Sequence, residues 1–157
     1  HAIYQELVTL LAETDARRIV LLRAENSGQI PRAGQPLYVT VAYEVHERGV
    51  RRVTSEWQRR PVDQPYVATL VALAARGHVE LHIQQLPKGI LRTVYEADDI
   101  ERSWLYSLVS TPTAWFYLSI PFPPGAIFDA RTRALIEGTV VRLQQILQGQ
   151  HTISVRR

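Results

Sequence analysis

The stretch that most constrains this chain is residues 17–46, RRIVLLRAENSGQIPRAGQPLYVTVAYEVH, which reads as two strands around a long loop. Ile19 to Leu22 and Leu37 to Val45 are rich in β-branched and aromatic residues, the composition of a pleated, buried surface. Between them NSGQIPRAGQP holds two Gly, two Pro and an Asn. Glycine opens backbone angles that other residues resist and proline fixes φ and removes a donor, so neither helix nor ladder runs through it. Hairpins close in about two to five residues, and loops of about a dozen are functional or disordered. With Asn26, Ser27, Gln29, Arg32 and Gln35 along it, the loop is a candidate lid.

The remainder is ordered around that pair of strands. Residues 2–14 carry Ile3, Leu7, Leu10, Leu11 and Thr14 at helical spacing. His46–Gly49 reads as a turn, and Val50–Trp57 as a short strand ended by Pro61. Asp63 is a good N-cap for a helix over 64–76, with Pro65 in its first turn and Gly77 at its end. His78–Ile83 alternates strictly, as a strand with one wet face does. A short helix over 90–97 follows, then strands Ile100–Ser110 and Ala114–Ile120 around a tight Thr111-Pro112-Thr113 hairpin. The prolines from Pro121 are expected to halt the sheet, Asp129 caps a helix over 130–148, and 151–157 reads as a frayed tail. Strands joined by turns rather than crossover helices imply an α+β domain around one mainly antiparallel sheet of five to six strands.

One domain over 1–157, with a core at about 2–149, is the expectation for 157 residues of ordinary globular composition, 46% hydrophobic and 21% charged. No apolar run reaches the roughly 20 residues of a membrane span, so no membrane contact is expected within the chain. The first residue is His, which leaves a signal or anchor upstream open. Without Cys, disulfides, thiolate metal sites and cysteine nucleophiles are excluded, and the composition suits the cytoplasm. The net charge is +3, and Lys88 is the only lysine among 18 basic residues. The run Arg48, Arg51, Arg52, Arg59, Arg60 is interrupted by Glu47 and Glu56 and reads as a solvated face, not a nucleic-acid contact. His78, Glu80 and His82 have zinc-ligand chemistry, yet their spacing is that of any wet strand face, so no metal site is assigned. G-x-S-x-G, phosphate-loop and H-E-x-x-H patterns are all absent, and no catalytic residue is assigned.

Alternation sorts the strand residues onto two faces. Val20, Leu22, Val39, Val41, Tyr43, Val45, Leu105, Val109, Phe116, Leu118 and Ile120 make an apolar face, to be covered by the first and last helices. The opposite face takes Arg23, Tyr38, Thr40, Glu44, Trp104, Tyr106, Trp115, Tyr117 and Ser119, an aromatic set with a few polar groups, as in small-molecule pockets. A second core with Arg23 and Glu44 paired is the alternative. The candidate ligand-binding residues are thus Arg23, Asn26, Arg32, Tyr38, Thr40, Glu44, Trp104, Tyr106, Trp115 and Tyr117.

With ARRIVLLRAENSG after the opening helix and AWFYLSIPFPPGAIFDARTRALIEGTVVRLQQIL at the close, the chain resembles the GAF/PAS class of sensor domains over residues 2–149. The resemblance implies a sheet backed by the terminal helices, with the intervening segments enclosing a small-molecule pocket. It implies a regulatory rather than catalytic role in signal transduction, or a ligand-free dimerisation or docking unit, and a homodimer through the terminal helices. The chain departs from two ligand classes of that group: it has no Cys for covalent bilin attachment and no NK dipeptide of the cyclic-nucleotide signature.

Overall fold

A computed structural model describes the backbone of residues 1–25 and 32–156 and the side chains as far as 150. Its elements are α1 (Ala2–Glu13), β1 (Arg18–Glu25), β2 (Tyr38–His46), β3 (Arg60–Pro61), α2 (Gln64–Arg76), β4 (His78–His82), α3 (Ile90–Ala97), β5 (Arg102–Ser110), β6 (Trp115–Phe122) and α4 (Ala130–Arg156). Six strands form one sheet in the order β3-β2-β1-β6-β5-β4, every pair antiparallel. Helices α1 and α4 pack on one face, α2 and α3 on the other.

The helix termini follow from their caps. Asp63 Oδ1 accepts from Tyr66 N at 3.1 Å, a contact worth about 1 kcal/mol. Gly77 closes α2 at φ 84°, where its N–H reaches Leu73 O at 2.8 Å and a side chain would be strained. The β5–β6 hairpin is closed by Thr111, whose Oγ1 accepts from the Thr113 and Ala114 amides.

Several expectations are corrected. Residues 50–57 form no strand: the Val53 and Thr54 amides turn inward onto Glu44, and Thr54–Glu56 makes one 3₁₀ turn. The pairing falls instead on Arg60–Pro61, opposite Val39 and Tyr38. Pro121 does not halt the sheet, since β6 runs on to Phe122 with Pro121 opposite Ser103. Helix α4 continues to Arg156, past Gly149, which stays in the helix at a cost of about 1 kcal/mol.

The face assignment is corrected too: β1 and the first half of β5 lie in the opposite phase to that expected, and a bulge breaks the alternation in each of β2 and β5. In β2, Tyr43 lies opposite Leu21 and Val41 opposite Leu22, so Ala42 has no partner. Val39 and Val41 therefore face α2 and α3, with Val20 and Leu22, while Tyr43 and Val45 face α1 and α4. In β5, Leu108 is the extra residue between Ser107 opposite Tyr117 and Val109 opposite Phe116. Trp104 and Tyr106 pair with Ile120 and Leu118 and lie under the terminal helices, while Leu105 faces α3.

Candidate functional site

Between the sheet and α3 lies a cavity of about 50 Å³ open to the centres of water molecules, room for a few waters. The strands contribute Val20, Leu22, Val41, Leu105 and Ser119, and α3 contributes Leu91, Val94 and Tyr95. Val53, Trp57, Tyr66, Arg18 and Pro121 complete the lining. Among the described residues the lining holds no His, Lys or carboxylate.

Arg18 is 4% exposed, and all three of its guanidinium nitrogens are engaged. Its Nε donates to Glu44 Oε2 at 3.0 Å, Nη1 to Asp98 Oδ2 at 2.5 Å, and Nη2 to the carbonyl of Arg51. Asp98 is presented by a turn in which Asp99 takes φ 56°, a conformation Asp tolerates. Burial by itself raises the Glu44 carboxyl. Hydrogen bonds from Thr54 Oγ1 at 2.6 Å and from the Val53 and Thr54 amides at 3.0 Å outweigh it, with the Arg18 charge, and hold the group below the usual glutamate range.

Hydroxyls meet in two groups. Ser103 Oγ donates to Tyr95 Oη at 2.9 Å, and Tyr95 Oη lies 2.8 Å from Ser119 Oγ. Tyr66 Oη and Tyr117 Oη are 2.7 Å apart. Burial pushes all three tyrosines above the usual phenol range, so they stay neutral. One carboxylate ties the two covering helices together. Asp63 caps α2 through Oδ1 and accepts from Ile90 N, at the start of α3, through Oδ2 at 2.8 Å. Gly89 is required beside it, since a Cβ there would lie 2.7 Å from Asp63 Oδ2.

No family model and no curated protein matches the chain. Solved structures do. The GAF domain of a two-component sensor histidine kinase from Bacillus halodurans superposes with a TM-score of 0.67 at 12% identity, over 98% of this chain and 96% of that one. The photoproduct state of GAF3 from Slr1393 of Synechocystis sp. PCC6803 gives 0.64 at 13% identity, over 99% and 96%. The chain has a GAF fold. The chromophore-binding domain of the R. palustris bacteriophytochrome RpBphP3 also gives 0.64, at 12% identity, with 98% of this chain covering 55% of that one.

Of the ten residues singled out from the sequence, none of the nine among the described residues lines the cavity of this GAF fold. Glu44 and Tyr117 come nearest, bonded to the lining residues Arg18 and Tyr66. Trp115 stacks on Tyr117 at 5.3 Å and donates from Nε1 to Ser107 Oγ. Trp104 and Tyr106 lie on the other side of the sheet, Trp104 stacked on Phe128 at 4.7 Å. Arg23 pairs with Glu25, and Thr40 accepts from Arg59 N. Tyr38 carries the Arg59 guanidinium 4.9 Å above its ring. Arg32 is exposed, and Asn26 lies outside the described residues. The later part of the loop leans on α2, where Gly34 N donates to Gln64 Oε1 at 2.8 Å.

The residues missed are Arg18, Trp57, Tyr66 and Tyr95. The two tyrosines sit on helical stripes whose spacing is indistinguishable from core, and nothing local marks Arg18, beside Arg17, as the buried one. The arginine run is spent within the chain: Arg51 pairs with Glu56, Arg52 lies 3.9 Å from Glu44, and Arg60 sits over Trp57. His78 stacks on Tyr106 while His82 pairs with Glu80, so these three side chains do not converge.

Proposed function

We propose that the chain is a non-catalytic sensor module that binds a small molecule in the cavity between its sheet and α3. The observation that carries this reading is an apolar cavity, ringed by neutral hydroxyls and a charge cluster, on the face opposite the terminal helices. Its lining offers no proton-accepting side chain beside a nucleophile, which favours binding over catalysis. The chromophore and sensor-kinase contexts named for the GAF structures above support a signalling role. A cytoplasmic setting fits a chain in which no described helix is long and apolar enough to cross a membrane.

The test is thermal unfolding against a library of small metabolites, with Val94→Phe as the filled-cavity control. A ligand at about 100 times its Kd contributes roughly 2.7 kcal/mol, which at this size raises Tm by several degrees. The rise is expected in the parent protein and absent in Val94→Phe. Equal rises in both proteins would place binding elsewhere.

Homodimerisation through the terminal helices is a second reading, favoured by Tyr4 and Val8 on α1 and Val141 on α4, which are 46%, 40% and 51% exposed. Sedimentation is expected to show a dimer that Tyr4→Glu with Val8→Glu converts to monomer. A parent protein monomeric at high concentration would end this reading.

A further inference from the structure

The groups around the cavity differ in what they leave unsatisfied, and the difference selects a ligand chemistry. The charged set is paired within itself. Arg18 has no free nitrogen, and both Glu44 oxygens already accept from Arg18, Val53 and Thr54. Two carboxylates, Glu44 and Asp98, meet one buried guanidinium, with Arg52 the next cation, 3.9 Å from Glu44 and largely exposed. An anion entering here meets two carboxylates around one guanidinium, each of whose nitrogens already donates to a partner. A cation finds both Glu44 oxygens already accepting, and Arg60 already stands 4.4 Å over the Trp57 ring. Desolvating either charge without a partner costs too much for binding.

The serine–tyrosine set is closed. Ser103 donates to Tyr95, Tyr95 can donate to Ser119, and Ser119 lies 3.5 Å from Ser103, so three hydroxyls supply three hydrogens and three acceptors in a ring. The tyrosine pair is not closed. Tyr66 and Tyr117 bring two hydroxyl hydrogens to one contact, and neither hydroxyl has another partner among the described residues. Tyr66, 3% exposed, is the member that lines the cavity. Its hydrogen is free when Tyr117 donates to it.

We propose that the cavity takes a small, neutral, mainly apolar molecule with one hydrogen-bond acceptor, such as a ketone, ether or ester oxygen, held by the Tyr66 hydroxyl. The acceptor completes a chain from Tyr117 through Tyr66 to the ligand and satisfies the spare donor. Val20, Leu22, Val41, Leu91 and Val94 cover the remainder of the molecule. Room for a few waters limits it to roughly half a dozen heavy atoms. This inference rests on the cavity being the binding site.

The experiment is methyl NMR of the whole chain, following the cavity valines and leucines during titration with butan-2-one, butanoate, propylammonium and cyclopentane. Butan-2-one is expected to shift those methyls saturably with a Kd on the order of millimolar, as suits so few heavy atoms. Butanoate and propylammonium are expected to bind at least about 10-fold more weakly. Tyr66→Phe is expected to weaken butan-2-one by about 3- to 10-fold and to leave cyclopentane unchanged. If butanoate or propylammonium binds at these methyls as tightly as butan-2-one, the ligand class is overturned and the site stands. Undiminished butan-2-one binding in Tyr66→Phe also overturns it. If no probe moves the methyls, the site falls and the ligand class with it. Should Tyr66→Phe not fold, the ranking of the charged and neutral probes in the parent protein decides.

Discussion

Under α1 and α4 the sheet buries Ile19, Leu21, Leu118 and Ile120 against Ile3, Leu7 and Leu143, beside Trp104, which stacks on Phe128, and Phe122, which meets Phe128 edge-on. Under α2 and α3 the same strands bury an arginine, a glutamate, two serines and three tyrosine hydroxyls among the aliphatic side chains, and a cavity remains. Non-directional apolar burial, at about 25 cal/mol per Å², is the efficient way to stabilise a sheet. A buried ion pair contributes little net stability over an apolar replacement yet is costly to break. The first face is therefore the one built for stability. The second carries groups that stability alone does not explain, which is why the site is placed there.

The sharpest way to break that contrast is to damage each face and vary pH. Phe122→Ala is expected to cost about 3–5 kcal/mol at neutral pH, and Glu44→Gln about 1–3 kcal/mol by taking the charged acceptor from Arg18 Nε and the Val53 and Thr54 amides while Arg18 keeps Asp98. The two then part. The Glu44 carboxyl is held below its usual value of 4.5, so the stability it contributes is present above that value and is lost as pH falls through the folded-state value. The Glu44→Gln deficit in urea melts should thus shrink below about pH 4.5, while the Phe122→Ala deficit keeps its size. Parallel curves for the two variants would show that the carboxylate is not what holds the second face.

A smaller effect sharpens the same contrast. Asp63→Ala removes the cap of α2 and the acceptor of Ile90 N together and should cost about 1–2 kcal/mol. Hydrogen exchange should then speed up in both α2 and α3, with α1 and α4 unchanged. Faster exchange in α2 alone would mean that α3 is held by its packing and not by Asp63.

How far the sequence can be read depends on the kind of signal. The bounds of α2 are legible because Asp63 and Gly77 act locally, each through a backbone group within four residues. The sheet and its terminal-helix cover are legible from alternation and from the apolar stripes. The site is not. Ala42 and Leu108 look like ordinary strand residues, and only pairing with a neighbouring strand shows that each is one too many. Arg18 becomes a buried anchor only because Glu44, Arg51 and Asp98 come to it from two distant segments. Tyr66 and Tyr117, 51 positions apart, meet only in the fold.

The bulge at Ala42 has a consequence for how such a chain tolerates change. Val39, Val41 and Glu44 face α2 and α3 together, although two of the numbers are odd and one is even. Removing Ala42 itself would restore strict alternation with all three still on that face. A loss elsewhere in the strand, such as at Thr40, would instead set Val39 directly beside Val41 and turn one of them away. Ala42 is therefore the position at which β2 can lose a residue and keep its two faces. The membership of the site is set as much by counting as by chemistry.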